Sequence, residues 1–279
     1  TSACAAPPGR DYTRFLKRDG LKGARIGIPR AFYFDRVNVP GEKEPQGGLN
    51  AAQAKVMAEA IEVLKMQGAV IVDPADIPSV VAPATADNFL AWGTCAGLDN
   101  AKGKDAECSV VLKYGMKRDF NAWLKSLGDA APVKSLTELR QWNVAHQKGG
   151  AIKYGQAQLD ISDEMDVRLD AERYRADRAK DIRLAATEGI DAAMQRHRLD
   201  AILFPGPFGA SIAAKAGYPT VMVPFGLIDT APIQPGFAGK PAPFGISFTG
   251  MACSEPKLLE IAFAFEQTTK RRMPPTAVP

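Results

Sequence analysis

Apolar and polar positions alternate so as to divide the chain into a short strand-and-helix opening, a long helical middle and a strand-rich close. Leu21-Lys22-Gly23 leads into Ala24-Arg25-Ile26-Gly27-Ile28, a short strand that Pro29 stops. A loop rich in Gly and Pro follows, through Pro40, Pro45, Gly47 and Gly48. From Asn50 the apolar positions Val56, Ala60, Val63, Leu64 and Met66 recur at helical spacing, and Gly68 ends the pattern. Ala69-Val70-Ile71-Val72 then reads as a buried strand. Strand, crossover helix and strand predict a right-handed βαβ unit in a sheet that is at least partly parallel.

Strand signals are few between 82 and 198, where the spacing predicts helices over 84–98, 108–127, 136–148 and 165–197. Ser135 or Thr137 can cap the third of these, and Gly189 is a bend or break in the last. Strands return at Ala201-Ile202-Leu203-Phe204, at Val221-Met222-Val223 between Pro219 and Pro224, and at Phe244-Gly245-Ile246-Ser247-Phe248. The final helix begins after Cys253-Ser254 and buries Leu258, Leu259, Ile261, Ala262 and Phe265. Ser254 is its expected N-cap, although Lys257 stands where a capping box needs Glu or Gln. No internal repeat is present.

Composition narrows the function classes. A chain of 279 residues with 46% hydrophobic content can bury a sizeable core, and a net charge of +4 is small for that length. Basic residues are not gathered into an aromatic-interleaved patch: Lys270, Arg271 and Arg272 are isolated, and acidic residues break up the arginines from 168 to 183. No nucleic-acid partner is expected. No apolar run is long enough for a membrane-spanning helix, so no membrane partner is expected either. Cys4, Cys95, Cys108 and Cys253 lie far apart without C-x-x-C spacing, and read as buried or idle thiols of a reducing, cytoplasmic compartment. The start, Thr1-Ser2-Ala3-Cys4, carries no signal-peptide pattern and reads as a cut linker.

Candidate chemistry is sparse. Only His146 and His197 could serve a serine nucleophile as base, and their helical positions read as surface or capping roles. Gly245-Ile246-Ser247-Phe248-Thr249 resembles a nucleophile elbow but lacks its closing glycine, so Ser247 reads as a strand serine. Thr1 is a candidate N-terminal nucleophile, although it opens a small-residue linker where such chemistry needs a buried strand. Asp160, Asp163, Glu164, Asp166 and Asp170 are interleaved with Arg168, Arg173 and Arg175, the pattern of a salt-laced helix surface. No metal-ligand spacing and no phosphate-cradling loop is found, and no cofactor is expected.

Several segments together resemble the C-terminal region of amidase-signature enzymes. They are Leu199-Asp200-Ala201-Ile202-Leu203, Ala216-Gly217-Tyr218-Pro219-Thr220-Val221 with Val223-Pro224-Phe225-Gly226, Phe244 to Gly250, and Ser254-Glu255-Pro256-Lys257-Leu258-Leu259 running on to Glu266-Gln267. Asp11-Tyr12 and the stretch from Leu21 to Pro29 resemble the segment those enzymes carry just downstream of their signature. The resemblance implies part of a mixed, mostly parallel α/β sheet flanked by helices, in one incomplete domain: a linker (1–20), a βαβ start (21–81), a helical lobe (82–198) and C-terminal strands with a helix (199–279). It also implies hydrolysis of carboxamides by a serine nucleophile, a second serine on a cis peptide and a lysine. The Gly/Ser-rich signature does not occur in these residues, so no catalytic residue is carried over.

What the resemblance leaves to this chain is scaffold and pocket. Loops beyond the carboxyl ends of strands form the crevice in open α/β sheets, which points to Phe32, Tyr33 and Phe34, and to Phe208, Gly209, Ala210 and Ser211. Phe32, Tyr33, Phe208 and Ser211 are the substrate-binding candidates. Asn143, His146, Tyr154 and Gln156 form a second polar group that could face a cleft, and 228–243 is a long loop that could serve as a lid. The chain is then expected to bind an amide only with an N-terminal half, and to associate with that half or with itself. A non-catalytic binding fragment and a Thr1 nucleophile are the competing readings.

Overall fold

In chain order the strands are β1 (Arg25–Gly27), β2 (Arg36–Val37), β3 (Gln46–Gly47), β4 (Val70–Val72), β5 (Gly93–Thr94), β6 (Cys108–Ser109), β7 (Ala201–Pro205), β8 (Thr220–Ile228) and β9 (Ala242–Thr249). The helices are α1 (Ala51–Met66), α2 (Val111–Ser126), α3 (Leu136–Ala145), α4 (Ala157–Asp163), α5 (Ala171–Ile182), α6 (Asp191–His197), α7 (Ala210–Ala216) and α8 (Glu255–Thr269), with a π-helix over Arg183–Ile190 between α5 and α6. This computed structural model describes residues 4–229 and 241–274. Thr1 and most of the 228–243 loop lie outside the described residues. The chain divides into one unit of Thr1–Phe89 with Ile182–Pro279, and a second of Leu90–Asp181.

The first unit is built on a five-stranded sheet in the order β4-β1-β7-β9-β8. β4, β1 and β7 run parallel, whereas β9 and β8 run antiparallel to their neighbours. The sheet is therefore mixed in equal parts, a correction to the expected mostly parallel one. The βαβ unit is present, because α1 returns the chain from β1 to a parallel β4. Asn50 starts α1 with a full capping box: its side chain accepts from Gln53 N while the Gln53 side chain accepts from Asn50 N. β4 pairs only with β1 and sits at the sheet edge, which leaves Val70 44% exposed where a buried strand was expected.

All five residues of β7 are buried, as are the last six of β9, so the central strands read as continuous apolar runs. On β8 and β9, Phe225 and Phe248 meet the α8 ring of Phe265 at 5.1 and 6.0 Å. Prolines expected to end strands lie inside them. Pro205 closes β7 beyond the reach of β1, and Pro224 sits on the edge strand β8 at a register shift, so neither has to donate to a ladder. Ser254 stands at the N-cap of α8, but its buried hydroxyl has no hydrogen-bond partner, so the expected cap is not made.

The second unit is helical with a polar interior. The predicted helix over 84–98 is absent; those residues form turns and β5. The Asn88 side chain donates to Val80 O and Ala82 O, and Phe89 N to Ser79 O, which satisfies backbone groups without a helix. The helix predicted from 108 starts at Val111 because Cys108–Ser109 forms β6, parallel to β5. Ser135 caps α3 by accepting from Glu138 N. The long helix predicted over 165–197 is three pieces, with non-helical torsions at Gly189. Cys95, Cys108, Val110, Tyr114 and Met165 form the core, flanked by Ala171 and Tyr174. Beside it Asp181 accepts from Trp92 Nε1 and Ser109 Oγ at 2.9 and 2.7 Å, and Asp177 accepts from Val110 N and from Arg173. Lys113, fully buried, is held by Asn100 O and by Asp105 at 3.0 and 2.5 Å.

The cysteine expectation is overturned. Cys4 pairs with Cys253 and Cys95 with Cys108, at Cα separations of 5.3 and 5.2 Å. The fold brings together residues 249 and 13 positions apart, which linear spacing does not show. The ground for a reducing compartment falls with the idle thiols.

Two stability outcomes follow. Closing the 13-residue loop constrains the unfolded second unit by roughly 3 kcal/mol. Replacing Cys95 and Cys108 together by Ser is expected to cost about 2–3 kcal/mol in denaturant unfolding; an unchanged midpoint would show that the bridge contributes nothing. The second outcome concerns acid. Burial works to raise the carboxyl pKa of Asp105, Asp163 and Asp170, yet Lys113, then Thr137, Arg140 and Lys117, then Lys102 outweigh it and hold them below the ordinary 3.8. A lowered folded pKa gives stability that is full above the unfolded value and is lost as pH falls through the folded one. Unfolding free energy is therefore expected to fall away below about pH 4. Asp105→Asn, which strands the buried Lys113 ammonium, should cost about 3 kcal/mol at pH 7 and blunt part of that acid loss.

Candidate functional site

β1 and β7 are parallel neighbours, with Ile26 opposite Ala201 and Gly27 opposite Ile202, so the loops that leave them emerge at one edge of the sheet. β9 runs the other way and brings its first residues to the same edge, where Pro205 faces Ile246 and Gly206 N donates to Gly245 O at 2.9 Å. Three segments thus converge: 28–34, 206–211 and the start of β9.

The first loop is tightly held. Arg30 forks onto Asp73 at 2.8 and 2.5 Å while its guanidinium lies 5.3 Å over the Phe34 ring. Ala31 N donates to Asp76 at 2.8 Å. Phe32 adopts a left-handed φ of 71°, a conformation that costs a non-glycine residue about 1–3 kcal/mol unless its surroundings impose it. Here they do: Phe32 N donates to Asp35 O, and Phe32 O accepts from Gly48 N at 2.7 Å. A Cβ on Gly47 would lie 2.2 Å from that carbonyl, so glycine is required for β3 to approach. Tyr33 turns inward. Only 2% exposed, its ring meets Phe204 edge-on at 4.7 Å and Phe32 at 5.4 Å. Burial pushes its phenol well above the ordinary tyrosine range.

The second loop wraps the same anchor. A Cβ on Gly209 would fall 2.3 Å from the Phe204 ring, so the chain crosses Phe204 only because residue 209 has no side chain. Phe208, 38% exposed, meets Phe244 edge-on at 6.5 Å. Ser247, the elbow look-alike, is a buried β9 residue whose hydroxyl donates to Gly206 O at 2.5 Å and straps this loop down. The structure therefore groups Phe32, Tyr33 and Phe208 around Phe204. Ser211 stands exposed on α7, one turn further out. Sequence reasoning missed Phe204 and Phe244. Phe204 read as a core strand residue, and Phe244 reaches this edge only because β9 is antiparallel, a direction that alternation does not encode.

In the second unit Asn143 donates to Gln156 at 3.1 Å, and with Tyr154 these residues line an open concavity of about 470 Å³. A shallower one of about 330 Å³ lies against Thr137, Arg140, Val144 and Gln156. His146 instead caps the end of α3, where its Nδ1 meets Trp142 O at 2.8 Å and its ring stacks on Trp142 at 4.0 Å. At the end of α6, His197 offers its carbonyl to Arg25. The acidic cluster is committed to cations: Arg140 holds Asp160 and Asp163, and Lys102 holds Asp170. Among the described residues no three His, Cys, Asp or Glu are placed to hold a metal, and no helix is long and apolar enough to cross a membrane.

No family model matches the chain. It is 28% identical over 269 residues to a probable amidase of Arabidopsis thaliana, which covers 96% of this chain and 42% of that protein. Among solved structures it is similar to the native peptide amidase of Stenotrophomonas maltophilia, with 31% identity and a TM-score of 0.67 over 95% of this chain and 47% of that one. An amidase family protein of Bacillus anthracis, at 24% identity and a TM-score of 0.64, shares the fold over 95% of this chain and 42% of its own. The chain thus spans a little under half the length of the relatives it matches. With the motif segments at both ends of the chain and the mixed α/β sheet that joins them, these likenesses identify it as a member of the amidase signature family.

Proposed function

We propose that this chain forms the scaffold and one wall of the substrate pocket of an amide hydrolase, and that the serine–serine–lysine machinery belongs to residues outside the sequence described. The observation that carries this reading is the convergence of Phe32, Tyr33 and Phe208 on Phe204 at the carboxyl edge of parallel strands, where open α/β folds bind ligands. The likeness to a peptide amidase over nearly the whole chain supports a peptide-like carboxamide as substrate. Hydrolysis adds water across the C–N bond and releases acid and ammonia or amine. In this reading the chain binds and orients the acyl side, and a serine supplied by the other half attacks the carbonyl. The strand inventory supports association with such a half: β4 and β8 each pair on one side only among the described residues, leaving open edges. The two disulfides favour an oxidising compartment over the cytoplasm.

The test is ammonia release from a simple peptide carboxamide, with the purified chain alone and after co-expression with a segment carrying the Gly/Ser-rich signature. No release alone and clear release from the pair is expected. Release by the chain alone would place the catalytic groups within these 279 residues and sink the division of labour. A stable pair without release would favour the non-catalytic binding fragment.

A further inference from the structure

Of the tyrosines buried beyond nine-tenths, Tyr114 and Tyr33, the first satisfies its hydroxyl by donating to Val167 O at 2.5 Å. The half-buried Tyr218 donates to Asp191 at 2.7 Å. Tyr33 differs. Its ring is enclosed between Phe32 and Phe204, and its hydroxyl has no hydrogen-bond partner among the described residues. Native structures rarely leave a buried hydroxyl unpaired, because it forfeits its water without regaining a bond. Replacement by phenylalanine would fill the same space in the same aromatic cluster without that loss, so packing alone does not account for the hydroxyl. What distinguishes the position is its place beneath the two loops of the proposed pocket.

Resting on the pocket reading above, we infer that the Tyr33 hydroxyl donates a hydrogen bond to a carbonyl oxygen of an amide ligand whose apolar side group packs against Phe32 and Phe208. The donor role follows from burial, which keeps the phenol protonated throughout the neutral range. The apolar side group follows from the two phenyl rings left accessible at the same edge, with Phe208 38% exposed. An N-acylated amino-acid amide with an aromatic or large aliphatic side chain meets both requirements, whereas acetamide meets only the first.

The experiment is equilibrium binding of N-acetylphenylalaninamide to the chain by ligand-observed NMR, which needs no turnover, beside thermal unfolding of the same samples without ligand. Wild type is expected to bind, and Tyr33→Phe to bind about three- to tenfold more weakly, the range of one neutral hydrogen bond. The variant's unfolding midpoint should equal or exceed that of wild type by about 2 °C, since it removes a desolvated hydroxyl. Equal affinities would overturn the role of the hydroxyl while the pocket stands. A midpoint lowered by several degrees would overturn it too, by revealing an internal partner. Failure of wild type to bind would overturn the inference together with the pocket on which it rests.

Discussion

The structure of the first unit hangs on β7, which is hydrogen-bonded in parallel to β1 on one side and antiparallel to β9 on the other. Burial of all five residues leaves no freedom of register, since a slip of one residue would exchange its two faces against both neighbours. Phe204 is where that constraint turns into a site. Its ring supports Tyr33 from the first loop, and its contact with Gly209 sets how closely the second loop can approach. A substitution at 204 would therefore disturb two loops that are about 170 residues apart in sequence, through a residue that touches the pocket only from below.

The second unit solves a different problem. Its core of sulfur and aromatic side chains is small, and beside it lie Lys113, Asp177 and Asp181, groups that water would otherwise hold. Each is tied to more than one partner, and Asp177 joins α5 to the start of α2 through Val110 N and Arg173. Such networks cost stability compared with a well-packed apolar core but impose one arrangement, because removing a partner strands a buried charge. The Cys95–Cys108 bridge closes the short loop beside this network and limits how far its unfolded form can spread. Order in this unit thus comes from specific pairings more than from apolar area.

That difference explains which parts were legible in the sequence. β1, α1, β7 and α8 carry dense periodic apolar patterns, and each forms close to where the periodicity puts it. The segment 84–98 has helical apolar spacing too, but Asn88 and the glycines at 93 and 97 favour turns, and local side-chain bonds to the backbone prevail. Strand direction was invisible beyond the βαβ unit, so the sheet was read as mostly parallel and Phe244 was left out of the site. The disulfides were invisible for the same reason, since they record tertiary proximity. At the site, the loop positions 32, 33 and 208 could be read from where strands end, but not that Tyr33 points into the core. Adjacent loop residues turn opposite ways, and here the left-handed torsion at Phe32 decides which.

An aromatic wall held this rigidly and separated from any nucleophile has a definite energetic consequence. Apolar contact with a substrate's side group is the same in the ground state and in the transition state, so by itself it lowers the concentration needed for binding without speeding the chemical step. It becomes catalytic only if it fixes the carbonyl where an incoming serine can reach it, which requires the wall to be stiff. The forked Arg30–Asp73 pair, the Ser247 strap on Gly206 and the absence of a side chain at Gly209 all act to stiffen it. The rigidity of these loops, more than their apolar character, is what suits them to position an amide for chemistry supplied from elsewhere.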